Sequence, residues 1–355
     1  MSEITVFATI YNIEKYLPRF FKCMDDQSYK DYTLLLIDDG SSDDSLKICK
    51  EYALNDKRIE IIESKHIGIS AARNIVIQHI KTEFMASADG DDVYEVDYLK
   101  HLIEAQKKYD ADMVISRVNY RDEQYRKTGE FIARGELYID KKDFKDKLPM
   151  LLEDRRLNYL YAKLYRTKYF KDLRVEDDVK QGSDTMFNCQ YIKNINSIVL
   201  IDDLDTNYIK YSKRSVTSYN GDDAFKRICR INRYILDCFT ETDLMSAELK
   251  RIIDGRILLS GIWILDQIAL SKDDKKIKYN KAHNIVYDDL YTSAYNYQKQ
   301  LGNLNSYYFK VVNPNEEDKY IDSVIKNVKE DKRYNLIHKI FPKWMFDVYH
   351  RVKSI

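Results

Sequence analysis

The stretch Phe84-Met85-Ala86-Ser87-Ala88-Asp89-Gly90-Asp91-Asp92 joins an apolar run to three carboxylates in four positions. A short apolar run that ends in turn residues is typical of a buried strand, so the acids are expected at the rim of a sheet. Carboxylates this close repel one another unless water or a cation neutralises them, and hard oxygen ligands suit Mg²⁺ or Mn²⁺. An ordinary solvated turn is the alternative, because Asp and Gly are common turn residues.

The residues before this run alternate between strand and helix patterns. Strands are predicted at 4–10, 34–37, 59–62 and 84–88, and helices at 14–28, from the turn 38–43 through Ala53, and at 70–79. Strands separated by helices of this length form a mostly parallel sheet flanked by helices. Ligands bind at the carboxyl ends of such strands, which is where segments 9–12, 38–41 and 89–92 fall.

The pattern changes further along the chain. A helix at 95–109 and strands at 113–116 and 198–201 continue the alternation, whereas the polar stretch 119–136 is predicted to be a loop. Residues 223–270 are predicted to be helical, with Asp222 or Asp223 as the first cap. The apolar run 257–265 is too short to span a bilayer and indicates a buried helix. We therefore predict an α/β domain at 1–222 and a mainly helical domain at 223–355.

Composition limits the class of protein. Lys plus Arg is 58 and Asp plus Glu is 58, and this balance argues against a nucleic-acid-binding protein. Five cysteines without C-x-x-C pairs favour reduced thiols over a disulfide framework or a zinc site. No signal peptide is recognised at the N-terminus, so we expect a cytoplasmic protein. The 30 tyrosines have no functional explanation from the sequence.

Six segments together resemble the family 2 glycosyltransferases of the GT-A fold. They are residues 5–12, 37–43, 70–74, 89–92, 162–165 and 182–187. The family's strand-one Y-N, D-D-G-S, A-R-N, D-x-D, K-L-[FY] and G-E-D-x-x-F blocks occur in the same order. The resemblance covers residues 3–220, and 223–355 show no match. Ser183 stands where the family usually has Glu.

The resemblance implies a Rossmann-like GT-A domain and an inverting, metal-dependent hexosyl- or N-acetylhexosaminyl-transferase. The donor would be a nucleotide sugar, with UDP favoured. The acceptor would be a hydroxyl of a cell-surface glycan, a teichoic acid, a capsule precursor or a glycoprotein. The alternative, kept open by Ser183, is a non-catalytic subunit that binds a nucleotide sugar or glycan. A dehydrogenase is disfavoured, because no G-x-G-x-x-G follows the first strand.

The resemblance also implies roles for individual residues. The nucleotide clamp would be Thr9, Tyr11, Asp39 and Arg73. Tyr11 would stack on a pyrimidine, Asp39 would accept the uracil imide hydrogen, and Arg73 would reach the base or a phosphate. Either Asp38 or Asp39 is instead expected to cap the following helix.

The predicted metal, Mn²⁺ or Mg²⁺, would bind Asp91 directly. Asp89 would contact the ribose or a metal-bound water, Gly90 would belong to the same donor-binding turn, and Asp92 is the reserve ligand. Calcium is disfavoured, because the protein offers too few oxygens for a calcium cage.

Asp184 is the predicted general base, since it enters a helix at its N-terminus, where the dipole favours the ionised form. A purely capping role is the alternative. Glu176, Asp177 and Asp178 are further candidates, although a solvated charge run explains them as well. Lys210, Lys213 and Arg214 form a basic cluster, interpreted either as a lid over the diphosphate or as a solvated loop.

The C-terminal domain is expected to bind acceptor, to form homo-oligomers, or both. Its end, residues 341–353, mixes large apolar with basic residues. We favour packing of this tail on its own domain. The alternative is an interfacial helix that contacts anionic lipid at the inner face of the membrane.

Overall fold

A computed structural model describes residues 2–179, 181–211, 223–302, 312 and 315–329. The chain divides into two compact units, one of residues 1–213 with 242–244 and one of the remaining residues. The predicted boundary at 222 lies outside the described residues and stays a prediction.

The first unit contains two sheets. Its strands are β1 (Ile4–Ile10), β2 (Tyr32–Asp38), β3 (Ile59–Glu63), β4 (Phe84–Ser87), β5 (Val93–Tyr94), β6 (Met113–Ile115), β7 (Val118–Asp122), β8 (Lys127–Glu130), β9 (Leu137–Asp140), β10 (Lys163–Arg166), β11 (Ser197–Leu200) and β12 (Thr206–Lys210). Eight of them form the large sheet in the order β3-β2-β1-β4-β10-β6-β11-β9, and the small sheet has the order β5-β12-β7-β8.

The large sheet is mixed. Strands β1 to β4 are parallel neighbours, as predicted, and β6 is parallel to β11. Strand β10 runs antiparallel between β4 and β6, and β9 runs antiparallel to β11. The prediction of a mostly parallel sheet therefore holds best for the N-terminal half of the unit.

Helices cover this sheet. They are α1 (Leu17–Asp25), α2 (Ser45–Asn55), α3 (Ile69–His79), α4 (Tyr98–Tyr109), α5 (Phe144–Glu153) and α6 (Ser183–Asn194). Helix α1 is shorter than the predicted 14–28 because Pro18 is accommodated only in a first turn. Its Leu17, Phe20, Phe21 and Met24 lie one or two turns apart and are buried in the core.

The prediction of a loop at 119–136 is wrong. Strands β7 and β8 lie in the first part of this stretch, up to Glu130, and pair antiparallel in the small sheet. Strand β8 lies at the edge of that sheet and is largely exposed. Its residues are therefore polar, and the alternation of apolar and polar residues that marks a strand is absent. The hairpin turn is held by Asp122, whose Oδ1 accepts the N–H groups of Gln124 and Arg126 at 3.1 and 2.8 Å.

The described part of the second unit is helical. It comprises α7 (Ala224–Thr240), α8 (Ala247–Leu270), α9 (Lys275–Val286), α10 (Asp289–Gln300) and α11 (Glu317–Lys329). Residues 223–270 therefore form two helices, because Ser246 starts the second by accepting the N–H of Leu249 at 3.1 Å. The apolar run 257–265 lies within α8, as predicted. Among the described residues no helix has the length and apolarity needed to cross a membrane.

Candidate active site

The loops that follow β1, β2 and β4 meet at one edge of the large sheet, as the sequence predicted. The three strands are adjacent and parallel, so their carboxyl ends coincide. The N–H of Asp39 donates to the carbonyl of Ile10 at 2.8 Å. Asn12 then joins the first two loops, since its Oδ1 accepts the N–H of Ser42 at 2.8 Å.

Asp39 is buried at this edge and its carboxylate is engaged within the protein. It accepts hydrogen bonds from the hydroxyl of Ser64 at 2.9 Å and from the N–H groups of Ile67 and Gly68 at 2.7 and 3.0 Å. Asp39 thus holds the loop that leads into α3. Asp38 accepts N–H groups of the turn that precedes α2, and the N-cap of α2 is Asp44, so the prediction that Asp38 or Asp39 caps this helix is wrong. The hydrogen bond between uracil and Asp39 stays a prediction. It would use a lone pair of the carboxylate that these three protein donors leave free.

Tyr11 lies beside Asp39 at the surface. Its side chain is 43% exposed, and its ring stacks on His66 with centroids 4.5 Å apart and an angle of 27° between the planes. Thr9 is half-buried at the end of β1. His66 has a left-handed backbone and comes within 2.9 Å of a Cβ built on Gly40, whose φ is +73°. The ring pair offers a flat surface for a nucleobase, and His66 was not among the site residues predicted from the sequence.

One face of α3 holds the loop that leads into α6. The hydroxyl of Ser70 donates to the carbonyl of Val179 at 2.5 Å. The Asn74 side chain donates to the carbonyl of Val175 and to Asp177 Oδ1, both at 2.7 Å, and accepts the N–H of Val175 at 3.1 Å. Ser70 and Asn74 are one helical turn apart, so they act on the same segment.

Arg73 lies between these two residues on α3 and is buried. Its guanidinium donates to the Ser183 hydroxyl and forms an ion pair with Asp184. The side chain of Asp184 is 23% exposed and lies in the first turn of α6, whose N-cap is Gly182 with φ +83°. The predicted base is therefore bound to a predicted clamp residue, and Asp184 is not the N-cap residue of its helix.

The acidic tetrapeptide lies in the same site. Burial, together with the negative charges of Asp91 and Asp184, raises the pKa of Asp89 to about 7, while Arg73 opposes the shift. These dependences place Asp89, Asp91, Asp184 and Arg73 within electrostatic reach of one another. Three predicted carboxylates, Asp89, Asp91 and Asp184, thus lie in one cluster with the predicted clamp residue Arg73.

Asp92 and Gly90 serve the packing around this cluster. Asp92 is buried, and its Oδ1 accepts the N–H of Ile209 at 2.8 Å, which fixes β12 beside the acids. A Cβ on Gly90 would lie 2.6 Å from Ile13 Cδ1, so this position is closely packed. The reserve metal ligand Asp92 therefore has a structural partner, although its Oδ2 is buried without a hydrogen bond among the described residues.

The acid cluster fits a hard divalent cation. Asp89 and Asp91 carry carboxylate oxygens, the ligand type that such a cation prefers, and Asp89 is a buried carboxyl with two further acids within electrostatic reach. Elsewhere, His101, Asp203 and Asp205 bring ligand atoms within 4.8 Å of one another. That group contains a His101–Asp205 hydrogen bond of 2.8 Å, which accounts for its arrangement.

Residues 5–174 match the sequence model of glycosyl transferase family 2. These residues belong to that family. The domain contains the A-R-N helix α3 and the acid cluster at 89–92, and its C-terminal limit precedes Asp184.

Similarity to individual relatives is partial. The chain is 31% identical to glycosyltransferase GlyA of Streptococcus pneumoniae over 52% of its own length and 27% of that protein. It is 23% identical to the uncharacterized glycosyltransferase EpsJ of Bacillus subtilis over 56% of its own length and 59% of that protein. The chain thus spans less than two thirds of these relatives.

The fold extends beyond the family 2 domain. S. aureus TarS 1-349, solved in complex with UDP-GlcNAc, aligns with 94% of this chain and 92% of its own at a TM-score of 0.66. Sequence identity in that alignment is 17%, so the similarity is one of fold.

The site contains two further residues that the sequence did not reveal. Arg19 on α1 donates to the carbonyl of Asp91 at 2.7 Å and to the hydroxyl of Tyr211 at 3.0 Å. Tyr211 donates to the same carbonyl at 3.0 Å. Arg19 precedes Asp91 by 72 positions, and no local pattern connects residues so far apart.

The remaining predicted residues fall into two groups. Glu176, Asp177 and Asp178 are exposed, and Asp177 also pairs with Arg174 at 3.0 Å. Lys210 is exposed at the end of β12. Lys213, Arg214 and the tail 341–353 lie outside the described residues, so the lid and membrane hypotheses stay predictions.

Proposed function

We propose that this chain is an inverting glycosyltransferase that moves a sugar from a nucleotide sugar to a hydroxyl of a cell-surface glycan. The observation that carries the proposal is the Arg73–Asp184 pair beside Asp89 and Asp91 at the carboxyl edge of the sheet. UDP is the favoured nucleotide, because TarS shares the fold and is solved with UDP-GlcNAc.

The proposed base is Asp184. In a single displacement the acceptor oxygen attacks the anomeric carbon while the bond to the diphosphate breaks, and the proton of the acceptor hydroxyl passes to the base. Asp184 is partly exposed, so a hydroxyl can reach it, and its place at the start of α6 favours the ionised form. Arg73 fixes the direction of its carboxylate.

The leaving diphosphate gains negative charge, which the site must neutralise. Asp91 and Asp89 would hold a Mn²⁺ or Mg²⁺ ion, and such an ion supplies charge neutralisation at the departing diphosphate. For the nucleotide we propose stacking on Tyr11 and an imide hydrogen bond to Asp39. A carboxylate has about four lone-pair sites, and Asp39 uses three of them for protein donors.

A thermal-shift screen of nucleotide sugars with and without Mn²⁺ tests the donor. We expect stabilisation by a UDP sugar that increases with the metal. In Asp91→Ala the metal should no longer strengthen UDP binding. If the metal still does so, the ligand assignment is wrong.

Turnover tests the base. Asp184→Asn should abolish UDP release from the donor while metal-dependent UDP binding remains. The matched control is Asp146→Asn, an exposed acid in the first turn of α5 that we expect to be silent. Unchanged turnover in Asp184→Asn would show that Asp184 is not the base. A wild-type chain that binds UDP sugars and turns over none of them would support the non-catalytic alternative.

A further inference from the structure

Three tyrosines of the first unit form a stack, which we name the tyrosine ladder: Tyr159, Tyr161 and Tyr208. The rings of Tyr159 and Tyr161 are 4.9 Å apart with an angle of 20° between them. The rings of Tyr161 and Tyr208 are 5.8 Å apart at 26°. Tyr120 packs edge-on against Tyr208, and Phe131 packs in a tilted arrangement against Tyr159, so both end rings have further aromatic neighbours.

One end of the tyrosine ladder is tied to the helix of the proposed base. The carbonyl of Tyr159 accepts hydrogen bonds from Asn188 at 2.9 Å and from Lys163 at 2.5 Å. Asn188 follows Asp184 by one turn of α6, so both project from one side of that helix. Lys163 is close enough to Asp184 for that charge to act on its pKa. Tyr159 therefore lies on the base side of the site.

The other end of the tyrosine ladder reaches the acidic tetrapeptide. Ile209, next to Tyr208, donates its N–H to Asp92 at 2.8 Å. The charges of Asp92, Asp91 and Asp89 all act on the Tyr208 hydroxyl. The ladder thus runs from the base to the acids proposed to hold the donor diphosphate, which is the space that an acceptor must enter.

The three rings of the tyrosine ladder differ in exposure, as expected if a ligand contacts its ends. Tyr161, in the centre, is buried, and its hydroxyl has no hydrogen-bond partner among the described residues. Tyr159 and Tyr208, at the two ends, remain half-buried. A buried hydroxyl without a partner is costly, and a hydroxylated ligand or a water would satisfy it.

We propose that the tyrosine ladder is the acceptor subsite and that it selects acceptors with a pyranose ring over acyclic polyol phosphates. This inference rests on the proposed function. A pyranose presents a flat face of C–H groups that packs on the negative face of an aromatic ring, while its edge carries the hydroxyl that reaches Asp184. An acyclic polyol has no such face to offer.

Ligand-observed NMR on the full chain with UDP and Mg²⁺ tests the proposal without knowledge of the natural acceptor. The probes are the methyl pyranosides of glucose, galactose and N-acetylglucosamine, against glycerol 3-phosphate and ribitol 5-phosphate. We expect saturation transfer to at least one pyranoside and weaker or no transfer to the polyol phosphates. Tyr159→Leu and Tyr208→Leu should each weaken pyranoside binding about tenfold, and Tyr159→Phe should retain most of it.

The matched control is Tyr52→Leu, which removes a ring stacked 4.0 Å from Phe21 outside the site. It should leave pyranoside binding unchanged. The proposal is overturned if the wild type binds polyol phosphates and no pyranoside, or if both leucine variants bind pyranosides as the wild type does. UDP binding, read in the same samples, separates these outcomes from failure of the proposed function, which would abolish the UDP signal itself.

Discussion

Loss of either partner of the Arg73–Asp184 pair should destabilise the fold measurably. The Arg73 side chain is 8% exposed and that of Asp184 is 23% exposed, so the remaining charge would be left largely desolvated. Breaking a fully buried pair costs about 3–5 kcal/mol. Because Asp184 retains contact with water, we expect Arg73→Met to lower the free energy of unfolding by about 2–3 kcal/mol.

A double-mutant cycle isolates the interaction. The free energy of unfolding is measured by urea denaturation for the wild type, Arg73→Met, Asp184→Asn and the double variant. The double variant leaves neither member of the pair as a charge without its partner. It should therefore be more stable than the sum of the two single changes predicts, by about 1–3 kcal/mol.

An exposed pair supplies the control. Arg174 and Asp177 are 72% and 55% exposed and lie 3.0 Å apart. Their cycle should give a coupling of less than about 1 kcal/mol. Additivity within about 0.5 kcal/mol at Arg73 and Asp184 would refute the reasoning, since the two side chains would then not interact in the folded protein.

Two further predictions concern neighbours of this pair. Asn74→Ala removes three hydrogen bonds to residues 175–177 and should cost about 2–4 kcal/mol of unfolding free energy; exposed Asn194→Ala, with one bond of 3.4 Å, should cost little by the same urea titration. Burial lowers the pKa of Lys163 from 10.5 to about 7 in the folded protein, so the unfolded chain binds more protons between these values and stability rises with pH there. Compared with Lys163→Met, the wild type should gain free energy of unfolding between pH 7 and 9.5. If the unfolding free energies of the two proteins change equally with pH, the lowered pKa of Lys163 is wrong.

Local patterns predicted much of the first unit. The apolar runs of β1 and β4 and the acids at 89–92 are readable because each signal lies within a few residues. The hairpin β7–β8 was missed because an exposed edge strand carries polar residues and loses the alternation that marks a strand. Helices α7 and α8 were read as one stretch, because the break between them depends on a single capping serine.

Partners far apart in sequence could not be predicted. The pattern identified Arg73 and Asp184 separately, but nothing local indicates that residues 111 positions apart meet. The same holds for Arg19 and Asp91, and for Tyr159 and Tyr208, whose common stack depends on how the two sheets are arranged. Sequence reasoning therefore identified candidate side chains, whereas their pairing required the fold.

That pairing changes the interpretation of Arg73. A guanidinium has five N–H donors. One terminal nitrogen of Arg73 donates to Ser183, and the other pairs with Asp184. Its Nε is buried without a hydrogen-bond partner among the described residues, and the side chain is only 8% exposed, so a phosphate has little access to the remaining N–H groups. We therefore propose that Arg73 orients Asp184, and that the exposed Arg19 beside Asp91 is the cation that meets a diphosphate; the phosphate contact predicted for Arg73 stays a prediction.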